Sequence, residues 1–91
     1  MSEVVRRRVV VTGRVQGVFF RDSIRGEAAA RGVSGWALNR HDGALEAVFE
    51  GEPQAVCAVV AYCRAGPPQA RVDAVAVSEE EPGGESGFRI R

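Results

Sequence analysis

Gly13-Arg14-Val15-Gln16-Gly17-Val18-Phe19-Phe20-Arg21 is the stretch that decides how this chain folds. It follows a β-branched run, Val9-Val10-Val11-Thr12, and precedes a segment of helical spacing from Asp22 to about Arg31. In that segment Ile24, Ala28 and Ala29 fall on one side. A strand therefore runs through a loop with two glycines into a helix start. The first N–H groups of a helix have no partner within it, and the helix dipole places partial positive charge beside them. Glycine lets a loop curve until successive N–H groups converge on one point. Arg21 adds a fixed charge and a planar fork that matches the oxygens of phosphate or carboxylate. The residues alone allow two readings here: a small anion site, or an ordinary β–α connection with a surface arginine.

The same alternation of signals continues on both sides of the loop. Arg7 to Gly13 forms the first strand, and its valines predict burial on both faces. Gly26 inside the first helix costs about 1 kcal/mol relative to alanine, so packing must hold that helix, and Gly32 is placed to end it. Gly35 to Arg40 is a second strand. Asp42-Gly43 is a dipeptide favoured in tight hairpins, where both turn positions need positive φ. Ala44 to Glu50 is a third strand, with Leu45, Ala47 and Phe49 on an apolar face and Glu46, Val48 and Glu50 on a mixed one. Pro53 suits the first turn of a second helix that runs to about Arg64, with Val56, Val60 and Cys63 inward. Gly66-Pro67-Pro68 stops it. Val72 to Val77 is a fourth strand, a polar loop spans Glu79 to Glu85, and Phe88 to Ile90 is a candidate last strand. The order βαββαβ is the split-βαβ, ferredoxin-like plan: an α+β domain with two helices on one face of an antiparallel sheet.

Size and composition narrow the field. The 91 residues suit one domain, spanning 1–91, because two halves would each lack a sufficient core. The net charge is zero, so there is no global attraction for nucleic acid or an anionic membrane. All twelve basic residues are arginine. Lysine Schiff-base chemistry and a Walker-type phosphate lysine are thereby excluded. Cys57 and Cys63 lie on different faces of one apolar helix, so buried free thiols are expected, as in a reducing cytoplasm. The longest apolar run, Ala55 to Cys63, is too short to span a membrane, and no signal peptide is expected. The charge runs Arg6-Arg7-Arg8 and Glu79-Glu80-Glu81 are expected at solvated ends.

Nucleophiles and bases are scarce. Ser23 lies at a helix start and the two thiols lie in a helix interior. His41 is expected exposed beside a turn, and no Gly-x-Ser-x-Gly elbow exists. His41 and Asp42 are too few for a metal site. Asn39, eighteen positions after Arg21, is of a type disfavoured in strands, and its amide can accept and donate at once.

The loop and a second motif carry a family resemblance. Gly13-x-Val15-Gln16-Gly17-Val18-x-Phe20-Arg21 resembles the signature of acylphosphatases, and Gly35-Trp36-Ala37-Leu38-Asn39 resembles that family's Gly-Trp-x-x-Asn. The likeness extends from Arg7 to Arg91. It implies hydrolysis of acyl phosphates, small-molecule mixed anhydrides of a carboxylate and phosphate. The backbone N–H groups of Val15, Gln16, Gly17, Val18, Phe19 and Phe20, with Arg21, would surround the phosphoryl group, and Asn39 would hold the attacking water. No metal or cofactor is implied. Such a site suits a chain without a strong base. The carboxylate leaves readily, and phosphoryl transfer depends mostly on positioning and charge stabilisation. The side chains of Val18, Phe19 and Phe20 are expected to pack, with Phe20 anchoring the loop and Phe19 beside the pocket. Trp36 is expected in the core, and the chain is expected to be a cytoplasmic monomer. Two alternatives stand beside this: a non-catalytic phosphate-binding module, which has no need of Asn39, and an RNA-recognition module. The latter would need aromatics in the first strand, where valines and threonine stand.

Overall fold

A computed structural model describes residues 3–91. The elements are β1 (Val5–Arg14), α1 (Phe20–Ala30), β2 (Ser34–Asn39), β3 (Leu45–Gly51), α2 (Pro53–Ala65), β4 (Arg71–Glu80) and β5 (Phe88–Ile90). They build one five-stranded sheet of order β4-β1-β3-β2-β5. The first four strands pair antiparallel, as expected, while β5 joins the edge parallel to β2.

Both helices lie on one face. Helix α1 packs over β2 and β5, and α2 over β1, β3 and β4. Side chains alternate across a strand, so Val9, Val11, Ala37, Leu45, Ala47 and Phe49 all point to the helices and are fully buried. Phe20, Ile24 and Ala28, at helical spacing, answer from α1, and Val56, Val59, Val60 and Cys63 from α2. No helix among the described residues is long and apolar enough to cross a membrane.

Three expectations are corrected and a fourth is refined. The valines of β1 are not buried on both sides: Val9 and Val11 face the helices, whereas Val10, between them, is only partly covered. The charge runs are only partly solvated: Glu79 and Glu81 are exposed, but Arg6, Arg8 and Glu80 are half-buried. Strand β4 continues through Glu80, and Arg6 and Arg8 lie beside it in the ladder. Glu80 accepts from both arginines, Arg6 also reaches Glu50 and Glu85, and Arg8 reaches Glu46. Trp36 is buried as expected, 6% exposed, but on the open face rather than in the helix-covered cluster. Its ring is covered on the open face by the Arg8 and Arg91 guanidinium groups, at 5.4 and 4.4 Å from the centroid. Arginine stems supply apolar cover and their heads attract the ring face, so a tryptophan can be hidden without a second helix layer. Finally, only Cys63 is buried; Cys57 faces solvent, because a six-residue step turns it off the inner side of α2.

The β2–β3 hairpin is also wider than the Asp-Gly pair suggests. Only Gly43 takes positive φ, 94°. The Arg40 N–H donates to the Ala44 carbonyl at 2.8 Å and the Gly43 N–H to the Arg40 carbonyl at 3.3 Å. Asp42 closes the turn by its side chain, accepting from the Ala44 N–H at 3.0 Å. That bond, aided by Arg40, holds the Asp42 carboxyl below the ordinary carboxylate range. An Asx-type closure replaces a second left-handed residue.

Gly26 sits in α1 without positive φ, and a Cβ there would meet nothing within 4 Å. Gly26→Ala should therefore stabilise the protein by about 0.5–1 kcal/mol through the unfolded chain. A denaturant midpoint that does not rise would show that α1 needs the glycine.

Candidate active site

The site begins at a break in the sheet. The β1–β4 register runs Thr12↔Ala74 and then Gly13↔Val72, a bulge at Thr12/Gly13. Gly13 has φ +126°, and a Cβ there would lie 2.2 Å from the Arg71 carbonyl oxygen. Only glycine lets β1 bend so closely past β4 and lead the chain into the loop.

The loop is held by alternate burial. Val15, Val18 and Phe20 are 1–2% exposed and plug into the core. Gly17 (φ 74°) and Phe19 (φ 63°) are both left-handed. Alternating right- and left-handed residues turn successive N–H groups towards a common point, the concavity that takes an anion. Among the described residues, the N–H groups of residues 15–20 meet no protein acceptor. Phe20 anchors the loop as expected. Phe19 does not pack: it is 71% exposed, with its side chain at the mouth of the site. A phenylalanine held left-handed costs about 1–2 kcal/mol, so the surrounding loop imposes this backbone. Ser23 steadies it, its N–H and its hydroxyl both donating to the Phe19 carbonyl, at 3.1 and 3.0 Å. Helix α1 consequently starts at Phe20, two residues earlier than the sequence suggests, and Arg21 lies in its first turn.

Arg21 and Asn39 face one cavity of about 360 Å³, walled also by Val15, Gly17, Phe19, Phe20, Asp22 and Ile90. Arg21 Nη1 donates to the Arg91 carbonyl at 3.4 Å. Asn39 is the last residue of β2. Its Oδ1 is buried and has no hydrogen-bond partner. A buried acceptor left unpaired costs about 1–3 kcal/mol, and such atoms gather where a ligand or water completes them. His41 is exposed beside the turn, as expected. Burial pushes the Cys63 thiol up to about 12, which makes it inert.

Two participants escape sequence reasoning. The loop motif gives Gln16 only its N–H, yet its Nε2 donates to the Arg40 carbonyl at 2.7 Å and the Ala44 carbonyl at 3.1 Å. It staples the loop to the hairpin that carries Asn39. Nothing local in the sequence marks that contact across the fold. Ile90 enters the wall only because β5 docks parallel on β2, and alternation in so short a strand does not reveal it. Gln16→Ala should loosen the loop relative to Asn39, lowering kcat about tenfold and stability by about 1–2 kcal/mol. Wild-type kcat in a variant that has lost that stability would separate the staple from the chemistry.

Comparison with known proteins agrees with this geometry. The acylphosphatase family profile matches residues 7–90. An acylphosphatase of Rubrobacter xylanophilus is 60% identical over 88 residues, covering 94% of this chain and 79% of its own length. One from Anaeromyxobacter dehalogenans is 53% identical, with 100% of this chain and 99% of its own covered. The solved structure of an acylphosphatase from Coxiella burnetii superposes with a TM-score of 0.93 at 38% identity, covering 97% of this chain and 93% of that one. A match over nearly the whole length, on a fold that joins the two motifs at one cavity, leaves a single conclusion: the chain belongs to the acylphosphatase family, enzymes that hydrolyse acyl phosphates.

Proposed function

We propose that this chain hydrolyses carboxyl–phosphate mixed anhydrides to a carboxylate and inorganic phosphate, with Arg21 and the N–H groups of residues 15–20 binding the phosphoryl group and Asn39 holding the attacking water. The observation that carries this is the single cavity in which Arg21 and the unpaired Asn39 Oδ1 meet beneath a loop of free N–H groups. Water, donating to Oδ1, attacks phosphorus opposite the acyl oxygen. The phosphorus–oxygen bond to the acyl group breaks and its electron pair leaves on the carboxylate. The proton of the water passes to a phosphoryl oxygen. Charge spread over the phosphoryl oxygens in a loose transition state is met by donors already aimed at it, so nothing need reorganise as the bond breaks. A weakly basic leaving group makes a general acid unnecessary. A solvent isotope and pH–rate study that demanded a protein base titrating near neutrality would overturn the proton step.

The protein acts as a one-domain monomer in the cytoplasm. Supporting this are a core closed by its own helices and two cysteines that form no disulfide. The decisive experiment is hydrolysis of benzoyl phosphate in excess chelator. Turnover lost in both Arg21→Ala and Asn39→Ala establishes the roles. Phosphate bound in an Arg21-dependent way, without turnover, would instead make this a binding module.

A further inference from the structure

The chain between β4 and β5 must cross from one edge of the sheet to the other, since β4 and β5 are its two outermost strands. Residues 81–84, 86 and 87 of this strap are largely exposed and bury no core of their own. Three of its residues are glycine. Ordering such a segment costs about 1–2 kcal/mol per residue, and hydrophobic burial does not offset it. One side chain holds three of its N–H groups. Glu50, on the open face at the end of β3, is 5% exposed. Its Oε1 accepts from the Gly83 N–H at 2.8 Å and from Arg6 Nη1 at 3.1 Å. Its Oε2 accepts from the Gly84 and Glu85 N–H groups at 2.8 and 2.9 Å. Three consecutive N–H groups thus close on one carboxylate of the same chain. Arg6 also binds Glu85 at 3.0 Å and Glu80 at 2.9 Å, so the charge beneath the strap is paired on every side.

Beyond the strap, the chain builds the wall of the active site. Gly87 accepts from the Gly35 N–H at 2.9 Å, β5 pairs with β2 through three residues, and the Arg91 N–H donates to the Ala37 carbonyl at 2.8 Å. Ile90 lines the cavity and the Arg91 carbonyl receives Arg21. We propose that Glu50 is a positioning residue for the phosphoryl site, latching the strap so that β5 holds Ile90 and the Arg91 carbonyl against Arg21. This rests on the assignment of Arg21 to phosphoryl binding. Burial alone would raise the Glu50 carboxyl, but the Gly83 N–H, Arg6 and the Glu85 and Gly84 N–H groups outweigh it and hold it below the ordinary carboxylate range. The groups facing it are Arg6 from β1, Glu80 from β4 and Glu85 and Arg89 around the strap's end. A depressed carboxyl stabilises above its unfolded value and loses that contribution as pH falls through the folded one. The latch is therefore closed at neutral and mildly acid pH and acts constitutively.

Glu50→Gln keeps the size but turns an amide NH2 towards N–H donors. Amide exchange should quicken across residues 83–91 and not in α2. The inhibition constant of inorganic phosphate and the KM for benzoyl phosphate should both rise about tenfold, with a smaller change in kcat. Gly84→Ala is the second variant, useful should Glu50→Gln fail to fold. Gly84 has φ +77° with open space around it, so a Cβ strains the strap from outside, and the same shifts should appear at about threefold. A strap released by exchange with unchanged phosphate inhibition overturns the proposal, as does unaltered exchange. Arg21→Ala in the same assay separates the two ideas. If it too leaves phosphate inhibition unchanged, the assignment of Arg21 fails; if it alone weakens phosphate, only the latch fails.

Discussion

Arg21→Ala should lower kcat/KM for benzoyl phosphate about 10³-fold, roughly 4 kcal/mol of transition-state stabilisation, while leaving the fold intact. The size of the loss comes from what the cavity contains. In the proposed mechanism neutral N–H dipoles surround the phosphoryl group, and the guanidinium is the charged donor among them. As the bond to the acyl oxygen stretches, charge on the phosphoryl oxygens would meet a planar fork that offers two parallel donors. Stability should change little, because the bond Arg21 makes within the protein is one long, exposed contact to the Arg91 carbonyl at 3.4 Å. Arg21→Lys should recover only part of the activity, since a point charge cannot replace the fork. Steady-state kinetics beside a thermal melt give both readouts. A loss of turnover that merely tracked a lowered melting temperature would count against the assignment.

Asn39→Ala should behave differently: kcat falls about 10²-fold while inhibition by inorganic phosphate stays near normal. In the proposed mechanism the amide holds the water rather than the phosphoryl oxygens, so its loss should remove alignment of the attack and spare ground-state binding. The same substitution should leave stability unchanged or raise it by up to about 1 kcal/mol, because it deletes a buried acceptor that folding leaves unpaired. Activity lost while stability is gained is the mark of a residue kept for chemistry. Full kcat in Asn39→Ala would remove the water-holding role.

The order of elements, the helix-facing residues and both motifs are legible because each rests on local periodicity or on a fixed spacing. Leu45, Ala47 and Phe49 announce a strand face, and Gly66-Pro67-Pro68 announces a helix end, without knowledge of what lies opposite. The features that escape depend on partners distant in the chain. Arg6 and Glu80 look like solvated ends until the β1–β4 ladder sets them side by side. Trp36 reads as buried and is, but the two arginines that cover it are not readable. Phe19 looks like packing because a bulky left-handed residue is rare enough that spacing predicts against it. Within the site, the loop and Asn39 are readable as motifs. The Gln16 staple and the Ile90 wall are not, since both arise where separate elements meet.

The strand order also governs when the protein can become whole. Strand β1 is made first, yet it lies between β3 and β4 and completes its ladder only when Glu80 arrives, 74 positions after Arg6. Until then one edge of a valine-rich strand stands open, and closing so long a loop must precede the contacts that reward it. Mixed α/β chains dominated by such non-local pairings fold more slowly than helical bundles of equal size. On the ribosome, the loop that carries Arg21 emerges well before β4, so the β1–β4 ladder beside it cannot form until β4 has been made.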